Sequence, residues 1–274
     1  MTATTAPERA WIAEQLDELH VHGEVALEGA DPEGVHQLRV AVRRIRAVLK
    51  ASRFDDGGVL LAELRWFFGE LGPLRDLDVL LDRFHGDTEG FSADEMAAFE
   101  RLLKGLRTER GVARRKATRA LRGKRYGKLL ETLAETDVHP TVSAGAGLAE
   151  VARPYRKLRK AALAAGPDPV DEVLHDLRIR GKKLRYAAEL AAPSGGKPVR
   201  RLVKATKRLQ DVLGEHQDAC VAEVRVRGLV GEDAEEAFIV GRLVERERAR
   251  QATARGEWHE AYQEVDARGA ELLG

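Results

Sequence analysis

Between Gly34 and Phe54 the chain carries His36, Arg39, Arg43, Arg46 and Lys50 and no Asp or Glu. At about 100° per residue these five side chains fall within one narrow arc of a helix. Leu38, Val42, Ile45 and Leu49 fall on a second arc, the one that would bury. A row of guanidinium forks headed by an imidazole suits the oxygens of phosphate-like anions, because each fork donates two parallel hydrogen bonds. Without an anion the row repels itself.

The row is written twice. His175, Arg178, Lys182 and Arg185 repeat His36, Arg39, Arg43 and Arg46 at an offset of 139 residues, and Leu177, Ile179 and Leu184 replace Leu38, Val40 and Ile45. Further on, Leu71-Gly72-x-x-x-Asp76-x-x-Val79 returns as Leu213-Gly214-x-x-x-Asp218-x-x-Val221 at an offset of 142. Two copies in one register indicate a duplicated helical unit. Two more rows share the spacing. Arg107, Arg110 and Arg114 form one, and Arg200, Lys204 and Lys207 form the other, opposite Leu202, Thr206, Leu209 and Leu213. A fainter echo at an offset of 132 sets Arg110, Arg114 and Tyr126 against Arg242, Arg246 and Trp258.

A charge row on a helix is usually a solvated face, neutralised by acids one turn away. These rows are read as lacking such acids and they recur in matched halves, which points to anion binding. His36 and His175 each precede an Arg by one turn and are expected to touch the ligand. His20, His22, His85, His139, His216 and His259 have no such context and are expected at the surface. Asp76 and Asp78, spaced i, i+2, are read as N-terminal caps of a short helix rather than a metal site. Asp76 or Asp218 is expected to pair with a row Arg. No nucleophile elbow, Gly-rich phosphate loop, zinc-ligand spacing or Arg-His-Gly signature occurs, so neither catalysis nor a cofactor is expected.

The helices that position these residues follow from composition and punctuation. The net charge of +1 hides segregation: residues 101–128 hold twelve Lys or Arg against Glu109 alone, while residues 8–28 hold six acids against Arg9. Hydrophobic content of 43% supports a sizeable core. The single Cys220 excludes an internal disulfide. No apolar run approaches the ~18 residues of a membrane span, and no signal pattern opens the chain, so a soluble cytoplasmic protein without membrane contact is expected. Helices are expected over 8–28, 35–53, from Leu60 to a stop at Gly72-Pro73, over a short segment from Arg75, and over one long run, 93–135. After a linker at 136–147 come a basic helix ending at Gly166-Pro167, the second His helix, a turn at Pro193-Ser194-Gly195-Gly196, and helices over 199–213, 218–230 and 232–272. Nothing alternates at period two. The fold class is all-α, with two bundles of about five helices, roughly 8–135 and 148–272.

These residues resemble the CHAD family, the conserved histidine α-helical domain. The resemblance rests on Val35-His36-Gln37-Leu38-Arg39-Val40-x-x-Arg43-Arg44-x-Arg46, on its echo from Leu174 to Tyr186, and on Leu71-Gly72-x-x-Arg75-Asp76-Leu77-Asp78. It spans roughly residues 8–265. It implies a single domain built as a pseudo-twofold pair of helical bundles, with the basic helices lining a shared central groove or pore. It also implies binding of inorganic polyphosphate, often at polyphosphate granules. Some relatives carry a fused triphosphate-tunnel domain, but no Glu-x-Glu-x-Lys is present, so that activity is not carried over. Gln217 stands where the first copy has Arg75, and Gly181 adds a mid-helix cost of about 1 kcal/mol. Polyphosphate is flexible and has no bases, and its binder needs cations without stacking platforms. Only Tyr186 offers a stacker within the rows, which favours polyphosphate over the alternative, non-specific nucleic-acid binding. Hydrolysis of polyphosphate is the weaker alternative.

Overall fold

The computed structural model describes residues 7–29, 31–51, 58–136 and 147–273. Among them the regular structure is helical, with no strand. The chain divides into two units, Met1–Thr141 and Val142–Gly274. The expected linker lies outside the described residues, apart from its two end residues.

In the first unit α1 (Pro7–Glu28) and α2 (Glu33–Ala51) form a hairpin, followed by α3 (Val59–Gly86), α4 (Ala93–Leu102), α5 (Lys104–Leu121) and α6 (Lys124–Glu135). The apolar arc of α2 is buried as its spacing requires: Val35, Leu38, Val42, Ile45 and Leu49 are all in the core. α3 adds buried Leu64, Phe67 and Leu71, and Tyr126 of α6 stacks on Phe67 with ring centroids 4.5 Å apart. Each such side chain contributes roughly 1.5–3 kcal/mol on burial.

Two expected breaks are absent, one in each unit. α3 runs unbroken through Gly72-Pro73, so no helix starts at Arg75 and Asp76 and Asp78 cap nothing. A mid-helix Pro costs ~3 kcal/mol. Leu64, Phe67, Leu71, Leu74, Leu77, Leu81 and Phe84 are buried on both sides of it and outweigh that cost. The long run 93–135, by contrast, is three helices. Leu103 keeps right-handed dihedrals at the α4–α5 junction, whereas Gly123 is extended (φ −79°, ψ 145°) and separates α5 from α6.

In the second unit α7 (Gly147–Ala165), α8 (Asp171–Arg227) and α9 (Ala234–Leu273) pack around Leu158, Leu177, Leu184, Leu202, Leu209 and Trp258. α8 contains the expected turn, at Gly196, whose φ of 63° and ψ of −154° suit a residue without a Cβ. Beyond it the helix passes Gly214 without stopping, as α3 passes Gly72. With α8 counted as two segments the described units hold six and four helices rather than five each. They share one plan: an opening helix, a His helix, a Leu-Gly helix, and a closing run that is broken only in the first unit.

Candidate functional site

In the first unit the α2 row is joined by side chains of α3. Val35, Leu38 and Val42 face the core, so His36, Arg39 and Arg46 are left half-buried and Arg43 exposed. The side chain of Lys50 lies outside the described residues. Arg39 lies flat on Phe68, with its guanidinium carbon 4.0 Å from the ring centroid, and Arg46 reaches the same ring at 5.7 Å. Arg39 Nη1 also donates to the Phe68 carbonyl oxygen at 3.2 Å. The mid-helix Gly72 makes room for it, since a Cβ there would stand 3.1 Å from Arg39 Nη1. α3 adds two cations, Arg65 beside Arg46 and Arg75 beside His36, each close enough to perturb its neighbour.

The electrostatics are those of like charge only partly offset by Asp76 and Glu33. Burial lowers the Arg39 guanidinium below its ordinary value; Asp76 opposes the shift, and Arg43 and Arg75 add to it. Burial and then Arg65 lower Arg46, whose Nε is buried without a hydrogen bond. Burial and then Arg75 push the His36 imidazole toward neutrality, with Arg43 and Arg39 adding and Glu33 opposing. None of Arg39, Arg43, Arg46, Arg65 and Arg75 forms an ion pair with a carboxylate among the described residues.

The second unit builds a related face on α8. His175 is exposed, and its Nδ1 donates to Gln217 Oε1 at 2.6 Å. Gln217 thus fills the place from which Arg75 faces His36. Arg178 is half-buried, with Nε 3.9 Å from where a Cβ of Gly214 would stand, so the Leu-Gly glycine neighbours the row Arg in both units. Lys182 is half-buried as well. Arg185 stands 3.0 Å from Glu189, so the row does meet an acid at i+4, contrary to the sequence reading. Arg200, Lys204 and Lys207 are exposed opposite buried Leu202, Thr206, Leu209 and Leu213.

The α5 row is different, because the fold engages all of it. Arg107 donates to Glu100 Oε2 at 2.5 Å, and Arg114 Nη2 donates to the Glu28 carbonyl at 3.1 Å, closing the end of α1. Arg110 Nε donates at 2.5 Å to Asp78, a buried carboxylate. Asp78 and Glu100, rather than Asp76, are therefore the first unit's acids that pair with a row Arg. One further expectation is corrected: His216 is buried, with 2% exposure, and not a surface residue. Sequence reading also passed over Arg65, although Lys207 stands at its repeat position.

The fold and site define an all-α protein with cationic faces on duplicated helix pairs. Its sequence matches the CHAD domain model over residues 10–227, and the chain belongs to that family. Two Mycobacterium tuberculosis proteins, uncharacterized proteins MT2285 and Rv2226, are each 31% identical over 255 residues, covering 86% of this chain and 48% of theirs. The chain therefore spans about half the length of these relatives. The crystal structure of the CHAD domain from the plant Ricinus communis matches with a TM-score of 0.70 and 25% identity, covering 95% of this chain and 90% of that one. PptA from Streptomyces chartreusis shares the fold, with a TM-score of 0.61 and 22% identity over 93% of this chain and 97% of its own. No helix among the described residues is long and apolar enough to cross a membrane.

Proposed function

We propose that the cationic faces of the two units bind inorganic polyphosphate, and that the chain acts by binding rather than catalysis. One observation carries this reading. Five guanidiniums gather around His36 and Phe68 without an ion pair to any described carboxylate, whereas each Arg of the neighbouring α5 row is engaged. Holding unpaired like charges together is unfavourable until an anion arrives. An anion with charge at every unit meets such a row donor by donor. The face also disfavours bases, because guanidiniums already occupy the Phe68 ring. Long-chain polyphosphate should therefore displace an RNA homopolymer at physiological salt in a direct competition. Equal displacement per unit charge would favour the nucleic-acid reading. The same chemistry suits association with polyphosphate granules.

Proton linkage gives a second test. Burial and Arg75 hold the free His36 below its ordinary value near 6.5, with Glu33, Arg39 and Arg43 as the other charges acting on it. A bound polyanion reverses that field, so the bound-state value exceeds the free one. Affinity is then greatest below the free value and falls as pH rises through the bound one. Calorimetry at about pH 6 in buffers of different ionisation enthalpy should show more proton uptake for wild type than for His36→Gln. Equal uptake would remove His36 from the site.

A further inference from the structure

We infer that Asp171, His216 and Cys220 form a binding site for one borderline-soft divalent metal ion of the Zn²⁺ type. The site is separate from the cationic faces and shares no residue with them. Asp171 opens α8, while His216 and Cys220 sit i, i+4 on its second segment, so both present to one side of the helix. Their ligating atoms all lie within 4.8 Å of one another.

The separations approach those of coordination. Tetrahedral Zn²⁺ with bonds of about 2.0–2.1 Å to N and O and 2.3 Å to S sets donors roughly 3.4 Å (N to O) and 3.6 Å (N to S) apart. His216 Nε2 lies 3.3 Å from Asp171 Oδ1, while Cys220 Sγ lies 3.8 Å from Nδ1 and 3.9 Å from Nε2, so the thiol swings toward Nε2 when both ligate one ion. Three protein donors leave a fourth position for water or an exogenous ligand, as in open zinc sites. Asp171, 52% exposed at its side chain, leaves an entry path.

Arg255 does not cancel the site. Its Nη2 donates to Asp171, while its Nη1 donates to Asp168 Oδ1 at 3.0 Å and to the Pro169 carbonyl at 2.6 Å. One guanidinium is thus shared between two carboxylates, and its bond falls on Asp171 Oδ1, the oxygen that faces His216, so a metal ion would share that oxygen with Arg255. The duplication supplies an independent argument. At the repeat offset of 142, His216 occupies the position of Leu74 and Cys220 that of Asp78, both buried. The second unit has therefore put an imidazole where the first has a core leucine. That imidazole meets Asp171 Oδ1 at 3.3 Å, so the replacement brought a carboxylate partner with it.

Cys220 is the only cysteine, so its chemistry reports on this site alone. Purified chain in phosphate-free buffer should bind one equivalent of Zn²⁺ and lose Cys220 reactivity toward a disulfide reagent as it does so. Co²⁺ should give a thiolate-to-metal charge-transfer band. Cys220→Ser should abolish that band and weaken Zn²⁺ by about tenfold or more. Asp171→Asn should weaken Zn²⁺ to a similar extent while keeping the thiol, which covers the case in which the serine variant fails to fold by far-UV circular dichroism. Absence of Zn²⁺ binding by the wild type, or affinity unchanged in both variants, would overturn the inference. Either result leaves polyphosphate binding unaffected.

Discussion

Reversing Arg43 and Arg65 together, as Arg43→Glu with Arg65→Glu, is expected to weaken long-chain polyphosphate by at least about a hundredfold. Each charge-assisted contact is worth ~1.5–3 kcal/mol, and two at the lower bound already exceed a factor of 100 at 1.4 kcal/mol per decade. The introduced carboxylates add repulsion. Both side chains are exposed and make no ion pair with a described carboxylate, so no described charge partner is lost. The control is Arg119→Glu with Lys124→Glu, two exposed cations on α5 and α6 that also lack such a pair. If the control lowers affinity as much as the test pair, binding follows overall charge and the α2–α3 face has no special role. The counterpart on α8, Lys207, stands at the repeat position of Arg65.

Affinity is expected to rise steeply with ligand length and then level off. From His36 to Arg46 the row covers about 15 Å of helix axis at 1.5 Å per residue. Orthophosphate reaches one or two donors of such a row and should bind weakly. Each added phosphoryl unit meets donors already held by the same two helices, so the cost of association is not incurred again. Arg39 is held by the Phe68 ring and carbonyl, which limits the side-chain freedom lost on binding. The gain should continue well beyond triphosphate. Log affinity should also fall linearly with log salt, because each neutralised phosphate releases counterions.

The sequence made the His rows, the duplication and the all-helical class legible, because helical periodicity is local and both copies kept it. It misplaced helix ends where tertiary packing overrides punctuation. Pro73 reads as a stop, yet the apolar residues on either side of it carry α3 through. Gly123 reads as an ordinary interruption in a basic run, yet its extended backbone separates two helices. Within the site, spacing showed which cations share a helix face but not which carboxylates reach them from elsewhere. Asp78 reaches Arg110 across 32 residues and Glu28 offers its carbonyl to Arg114 across 86, and neither contact leaves a local signature. Arg65 could have been found, since the repeat offset leads to it from Lys207. The role of Arg75 was hidden behind its replacement by Gln217, which looked like a loss of pattern. The amide instead occupies the same place against the histidine. The burial of His216 had no sequence signal beyond its alignment with Leu74.

The claim that the α2–α3 cationic face is the polyphosphate site is tested most directly by one titration series. Orthophosphate, triphosphate and long-chain polyphosphate are titrated into wild type and into Arg43→Glu with Arg65→Glu at a single salt concentration. Wild type should gain affinity at each step of length, and the double variant should lose most of the gain beyond triphosphate. Equal wild-type affinity for triphosphate and long chains, or an undiminished length gain in the variant, would contradict the account.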